Sequence, residues 1–565
     1  MTDPTPQPDH HPNQTGHTPD GDAQARAAAA LGAIGAEGEL KKLDPAKPDG
    51  ASVSADAGKA KPGGKAKKPD GDSERGPNQA TRLVELARRE YRTVRGTDGK
   101  TYAVLTNEGA PYTAQSLRGE NGLRMRLAHQ YYNETKAAPS AGALADALTI
   151  LEGQAMDTEP EPVALRVARH DDSLILDLAR PDGTCIVISP GEWHLEPVSP
   201  VLFRRTALTS ALPVPLRNPA QGPDGLDHLR DLLNVSEPGF RLLVAWLVAG
   251  LFPGIDHPIL GLSGEQGTAK STCARLLVSL IDPSPAPLRS APKDLDGWTV
   301  QAAASWTVML DNVSTIPVWF SDTLCKAVTG DGMVKRSLYT DDDVSVLSFQ
   351  RVIGMTTIDA GALRGDLAER LLLVELDPIP KHKRRAASEV NALFAECAPA
   401  ILGALFDLTA KVLTALPNVQ VAELPRLADF AKILAALDHA ASWRTLPHFF
   451  TIADELTETV IEADPFAESV RTHAKVNKQW TGTAGELLQL LTPVENVPKT
   501  FPRSPRAVSG HLRRVAPALR KSGVSIEYTR GPGKDGKRLI KLSYRDEPIQ
   551  PSEPSEPSDE PSELW

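Results

Sequence analysis

At 565 residues the chain is long for a single hydrophobic core and is expected to divide into about two to four domains. Hydrophobic residues at 41% and charged residues at 24% exclude a fibrous or low-complexity protein, and no apolar run reaches the roughly 18 residues of a membrane span. The net charge of −10 conceals an asymmetry: residues 499–541 hold twelve Lys and Arg against Glu527 and Asp535, so that window is +10 and the remainder −20. A basic module inside an acidic chain points to a polyanionic partner for that module alone. Cys185, Cys273, Cys325 and Cys397 stand far apart, which excludes a zinc cluster or disulfide framework and leaves buried free thiols. The start, Met1-Thr2-Asp3-Pro4, lacks the apolar stretch of a secretory signal, so a cytoplasmic protein with no membrane association is expected.

Residues 1–78 are rich in Pro, Asp, Gly, Ala and Lys and cannot bury enough apolar surface to offset their ordering entropy, so a disordered tail is expected. Residues 79–215 read as an N-terminal α+β region. Leu83, Leu86 and Ala87 lie at helical spacing, and Tyr102-Ala103-Val104-Leu105 is β-like. Strand-like runs then begin at Val163, Ser173 and Thr184, separated by turns bearing Asp and Gly. Across 216–385, apolar strands alternate with helical patterns, which predicts a parallel α/β sheet, and the run 242–252 reads as a buried helix. Residues 386–477 are helical, with Leu393, Phe394, Ile401, Leu402 and Leu405 on one stripe. A small basic module covers 478–545. The tail 546–565 is acidic, repeats Pro-Ser-Glu and ends Glu563-Leu564-Trp565, a composition suited to docking a partner protein.

The chemistry concentrates in the central region. Pro258-Ile259-Leu260-Gly261-Leu262 reads as a strand, and Ser271 onward as a helix. Between them lies Gly264-Glu265-Gln266-Gly267-Thr268-Ala269-Lys270-Ser271. Strand, glycine loop, Lys-Ser and helix form the context of a phosphate-binding P-loop, in which backbone N–H groups at a helix N-terminus hold phosphate oxygens. Residues 264–272, ending at Thr272, are therefore the candidate ATP contacts. Lys270 would neutralise the β- and γ-phosphates, and Ser271 would ligate Mg2+ through its hydroxyl. Ala269 stands where the common pattern has glycine; alanine tolerates a helix start, so the loop is expected to form.

The run Trp306-Thr307-Val308-Met309-Leu310-Asp311 reads as a strand ending in a carboxylate, and Asp311 is the second candidate Mg2+ ligand. Asn312 follows where many such ATPases carry a water-activating glutamate, which makes Asp331 and Glu369 the candidate bases. A third strand ends in Thr356 and Thr357, whose hydroxyls suit sensing of a γ-phosphate. Arg370, closing Asp366-Leu367-Ala368-Glu369-Arg370, is the candidate arginine finger toward a neighbouring subunit, with Arg364 as the alternative.

In order and spacing these elements resemble the superfamily III helicases, in particular the ATPase module of phage and plasmid primase-helicases. Thr329-Gly330-Asp331, then Lys335-Arg336, then Leu338-Tyr339 are similar to that family's Thr-Gly-Asp, Lys/Arg and Leu-Tyr stretch. The resemblance covers about residues 225–385 and extends more loosely to about 470. It implies an AAA+ type P-loop core in a homo-oligomeric, hexameric ring. It also implies a β-hairpin in the pore, where Lys335 and Arg336 grip single-stranded DNA. Thr356 or Thr357 occupies the place of the family's sensor asparagine. No primase polymerase or zinc-ribbon pattern precedes the core, so the priming half is expected to be absent.

Within 478–545, residues 481–491 read as a helix and 504–521 as a second, interrupted one. Strands beginning at Val524 and Leu539 flank a basic hairpin from Arg530 to Arg538. Helices followed by such a hairpin look like a winged helix-turn-helix. Arg506, Arg513, Arg514, Lys521, Lys537 and Arg538 are the candidate contacts to duplex DNA, and binding should fall steeply with salt. The sequence thus reads as an α/β protein: a P-loop AAA+ type core, a helical and β-rich N-terminal region and a C-terminal winged helix. The expected function is an ATP-dependent DNA helicase or translocase of a mobile element. The alternative is an ATP-dependent DNA-binding switch, a replication initiator or antiphage-defence NTPase, without processive unwinding.

Overall fold

The computed structural model describes residues 78–107, 111–119, 122–217, 224–330, 332–336, 344–347, 349–356, 363, 365–531 and 537–545. The expectations for 1–77 and 546–565, and for Asp331, Thr357, Arg364 and the hairpin tip 532–536, lie outside the described residues.

Helix α1 (Gln79–Glu90) begins at Asn78, whose side chain accepts from the Thr81 N–H at 2.9 Å and so satisfies one orphan donor of the first turn. Strands β1 (Tyr91–Arg95), β2 (Thr101–Leu105) and β3 (Thr113–Ser116) follow. Helices α2 (Leu123–Thr135) and α3 (Ala141–Met156) close over α1 around Leu83, Leu86, Leu127 and Leu148. The next strands are β4 (Val163–Ala164), β5 (Val167–His170), β6 (Ser173–Asp177), β7 (Cys185–Ser189), β8 (Glu192–Glu196) and β9 (Leu202–Arg204). They sort into a mixed sheet ordered β1-β2-β3-β9-β4 and an antiparallel meander β5-β6-β7-β8.

Helix α4 (Gly225–Leu232) leads to α5 (Glu237–Ala249), in which every residue from Leu242 to Ala249 is fully buried. Then come β10 (Ile259–Ser263), α6 (Lys270–Ile281), β11 (Leu288–Arg289), α7 (Leu295–Ala304), β12 (Thr307–Leu310) and α8 (Val318–Thr329). The hairpin β13 (Met333–Arg336) and β14 (Val344–Leu347), β15 (Val352–Thr356), the short α9 (Gly365–Ala368) and β16 (Leu371–Glu375) complete this region. Five strands form one sheet ordered β11-β12-β15-β10-β16, and all its pairings are parallel. Helices cover a parallel sheet, so its strands read as unbroken apolar runs, as β12 and β15 do, with every residue buried. The parallel order places the C-terminal ends of β10, β12 and β15 on one edge, where α/β proteins bind ligands.

Helix α10 (Ala387–Ala415) is apolar and long enough to span a bilayer, yet Ile401, Leu402, Leu405 and Phe406 are fully buried in the protein core. Helices α11 (Ala428–Ala441), α12 (Thr445–Ala463) and α13 (Pro465–Asn477) follow. The C-terminal module contains β17 (Gln479–Gly482), α14 (Ala484–Leu491), α15 (Pro505–Lys521), β18 (Val524–Arg530) and β19 (Arg538–Tyr544), its strands ordered β17-β19-β18.

Three features depart from the sequence reading. One core runs from Leu165 to Phe449, across the boundaries expected at 215 and 385. The reason is that α10 packs back on the meander, where Trp193 Nε1 donates to Asp407 Oδ1 at 2.7 Å. Helix α15 is continuous through Pro517, not interrupted. Pro517 removes one N–H near the helix end, while Val508, Leu512, Ala516 and Leu519 are buried along a single face that holds both sides together. Thr481 and Gly482, at the start of the helix expected over 481–491, lie instead in β17, held extended by pairing with Lys541 and Ile540 of β19.

A buried ion pair joins the β-rich region to the parallel sheet. Arg166 Nε donates to Asp282 Oδ1 at 2.9 Å, with the two side chains 0% and 6% exposed. The other Asp282 oxygen accepts the N–H groups of Trp306 and Thr307 at 2.8 and 3.0 Å, just where β12 starts. Arg166 Nη1 and Nη2 donate to the carbonyls of Asp177 and Ser210, both at 2.9 Å.

Candidate nucleotide site

The loop 264–271 connects the C-terminal end of β10 to the N-terminus of α6, the geometry anticipated for it. Gly264, at φ +132°, passes so close to the end of β16 that an added Cβ would lie 2.7 Å from the Leu376 carbonyl oxygen, and only glycine fits. Ala269 is the N-cap of α6, in the left-handed region at φ 62° and ψ 31°, and makes no side-chain cap bond. The first N–H groups of α6 therefore point into the loop without a side-chain acceptor, at the positive end of the helix dipole. An anion placed there meets a ready set of donors.

The left-handed conformation costs an alanine roughly 1–2 kcal/mol, against up to about 1 kcal/mol for the larger unfolded-state entropy of glycine. Urea-denaturation midpoints are accordingly expected to rank Ala269→Gly at or slightly above the native chain and Ala269→Val well below it. A valine variant as stable as the native chain would contradict this backbone geometry.

Lys270 Nζ reaches back to the carbonyls of Gly264 and Glu265, both at 2.8 Å, and Thr268 Oγ1 donates to the Glu265 carbonyl at 3.0 Å. Ser271 Oγ donates to Asp311 Oδ1 at 2.9 Å. That bond joins the start of α6 to the end of β12, the two places expected to share a magnesium ion. Thr356, 1% exposed, donates to the same Asp311 oxygen at 2.5 Å and accepts the Asn312 N–H at 3.0 Å. Its hydroxyl is thus committed beneath Asp311, where it orients that carboxylate. Asn312 itself is exposed at φ 58°. The residues fit a nucleotide–magnesium group: uncapped N–H donors, an ammonium, a hydroxyl and a carboxylate, all hard ligands or phosphate donors.

Arg370 is placed differently from the surface position an arginine finger needs. It is 7% exposed and turned inward, with Nη1 bonded at 2.9 Å to both the Asp366 carbonyl and Asp366 Oδ1. Burial would raise the Asp366 carboxyl, but bonds from Arg370 and Cys325, with the charges of Arg370 and Arg426, hold it below the usual carboxylate range. Glu369, a candidate base, is paired with Arg426 at 3.3 Å. Lys335 and Arg336 sit in β13, opposite Ser345 and Val344 of an antiparallel hairpin. Three of the four cysteines are buried, and burial pushes the Cys273 thiol up to about 12, which leaves it inert. Among the described residues no group of His, Cys, Asp and Glu is arranged to hold a further metal.

The six candidate DNA contacts of the C-terminal module are all exposed, but Arg513 meets different neighbours from Arg514 and Lys521. Arg513 stacks over Tyr528 of β18 at 5.3 Å, on the side of the β18–β19 hairpin. Arg514 and Lys521 instead line a cleft with Gly365, Glu369, Thr457 and Val460, against α9 and α12.

One residue near the loop escaped the sequence reading. Arg384, exposed, lies with Nη2 3.7 Å from where a Cβ on Gly267 would stand. The signal was present as the basic run Lys381-His382-Lys383-Arg384-Arg385, but nothing local connects that run to a loop over a hundred residues earlier.

Residues 226–459 match the family model of the actinomycete integrative conjugative element replication protein. Residues 466–558 match the family model of the RepA C-terminal domain of the same elements. No curated protein matches the chain in sequence. Among solved structures, the apo C-terminal region (305–718) of NrS-1 is similar at 10% identity and a TM-score of 0.35, covering 83% of this chain and 100% of that one. The SCCmec type IV Cch active helicase is similar at 12% identity and 0.37, covering 80% and 93%. The JCV helicase is similar at 12% identity and 0.23, covering 42% of this chain and 64% of that one.

Proposed function

We propose that the chain is an ATP-dependent DNA helicase or translocase that serves replication of an integrative element and works in the cytoplasm as a homo-oligomeric, hexameric ring. The observation that carries this reading is the convergence of Lys270, Ser271 and Asp311 at the uncapped N-terminus of α6, inside a segment matching a replication-protein family. In this AAA+ type P-loop core the N–H groups of 264–272 and Lys270 hold the phosphates, Lys270 exchanging its two loop carbonyls for phosphate oxygens. Ser271 and Asp311 hold Mg2+, which when bound neutralises charge developing on the transferred phosphoryl group. Thr356 keeps the Asp311 carboxylate in place. Lys335 and Arg336, on the β13–β14 hairpin, contact single-stranded DNA in the pore. The C-terminal module acts as a winged helix on duplex DNA through Arg506, Arg513, Lys537 and Arg538, while Arg514 and Lys521 face the core. A trans role for Arg370 requires its pair with Asp366 to open on ring assembly. The acidic tail offers a docking peptide to a partner protein.

Asn312 favours a second reading, a nucleotide-dependent DNA-binding switch, because the position after Asp311 supplies no carboxylate to activate water. Strand displacement on a forked duplex separates the two. ATP-dependent unwinding selects the helicase. Nucleotide-dependent binding without unwinding selects the switch, and DNA binding indifferent to nucleotide sinks both.

A further inference from the structure

The pairing of β16 with β10 sets Ser263 opposite Glu375, and the Leu376 N–H then donates to the Ser263 carbonyl at 3.0 Å. The chain leaving β16 is thereby held against Gly264, at the start of the 264–271 loop. Pro378 and Pro380 stiffen that exit, and Lys381–Lys383 form a single 3-10 turn. All five residues from Lys381 to Arg385 are exposed. Arg384 alone among them turns back far enough to stand beside Gly267. Its Nε is held by one long bond, 3.4 Å, to the Ile379 carbonyl, and among the described residues no carboxylate pairs with it. A guanidinium is thus set beside Gly267, in the loop that leads into the positive end of α6. Like charges around a helix N-terminus repel unless an anion lies between them. A terminal phosphate of a nucleoside triphosphate has that charge and offers the two oxygens a guanidinium binds in parallel.

We propose that Arg384 is a phosphate-binding residue supplied by the same chain that carries the loop, contacting the terminal phosphate of a bound nucleoside triphosphate and distinguishing it from the diphosphate. The proposal rests on the reading of 264–271 as a triphosphate site. It differs in kind from an arginine finger, because the contact is made without a neighbouring subunit.

The test uses the full chain and measures dissociation constants for ATP and ADP, with KM and kcat for hydrolysis, in the native protein and in Arg384→Ala, Arg384→Lys, Lys381→Ala, Lys383→Ala and Lys270→Ala. Arg384→Ala is expected to weaken ATP binding about tenfold and ADP binding much less, raising KM more than it lowers kcat. Arg384→Lys restores part of the loss, and Lys381→Ala and Lys383→Ala match the native chain. Native affinity for both nucleotides in Arg384→Ala, with binding lost in Lys270→Ala, overturns the role of Arg384 and leaves the site intact. Equal losses in the Lys381 and Lys383 variants would also overturn it, by tracing the effect to the net charge of the run. A native chain that binds neither nucleotide removes both the site and the proposal.

Discussion

Lys270→Ala is expected to lower nucleoside-triphosphate hydrolysis by roughly two to three orders of magnitude, the scale of removing one preorganised donor from developing charge. The fold should survive the change. The two carbonyls that Lys270 holds lie at the partly exposed loop, so losing those bonds costs about 1 kcal/mol of stability. The decisive comparison sets turnover against the urea midpoint of the same preparation. A large loss of turnover with a nearly unchanged midpoint supports a role in phosphate binding. Hydrolysis within a few-fold of the native rate would remove Lys270, and with it the proposed site.

Asp282→Ala should be among the most destabilising single changes in the chain, at roughly 3–5 kcal/mol. It strands the Arg166 guanidinium, which is 0% exposed, and it orphans the two N–H groups that open β12. Against a total stability of about 5–15 kcal/mol, a loss of that size brings the protein near unfolding at 37 °C. Equilibrium urea denaturation measures it. The double variant Arg166→Met/Asp282→Ala is expected to recover part of the loss, since a buried charge without a partner is worse than no charge. If Asp282→Ala costs less than about 1 kcal/mol, the pair does not organise the junction between the meander and the parallel sheet.

These two predictions depend on sequence in opposite ways. The Lys270 site was legible because each of its parts is local. A glycine loop between an apolar strand and a helix occupies eight consecutive residues, and Asp311 announces itself by ending an apolar run. The Arg166–Asp282 pair left no such trace. Its members are 116 residues apart, and each alone reads as an ordinary surface charge. Arg370 is a third case: its motif was visible, but whether the side chain turns out to a neighbour or in to Asp366 is decided by packing around α9.

What the sequence by itself determined is the order of the elements and the chemistry at their ends. Apolar period marked β10, β12, β15 and α5, and residue type marked Lys270, Ser271 and Asp311. The tertiary structure decided which of those ends meet. Strand order β12-β15-β10-β16 lays Thr356 beneath Asp311 and carries Arg384 to Gly267. Packing of α15 between α9 and α12 on one side and β18 on the other sets Arg514 toward the core and Arg513 toward the hairpin. The physical reason is that periodicity and turn chemistry act over a few residues. Pairing between distant strands is chosen by the burial of the whole sheet, and so the loop of Gly264–Ser271 could be read alone while the basic residue above it could not.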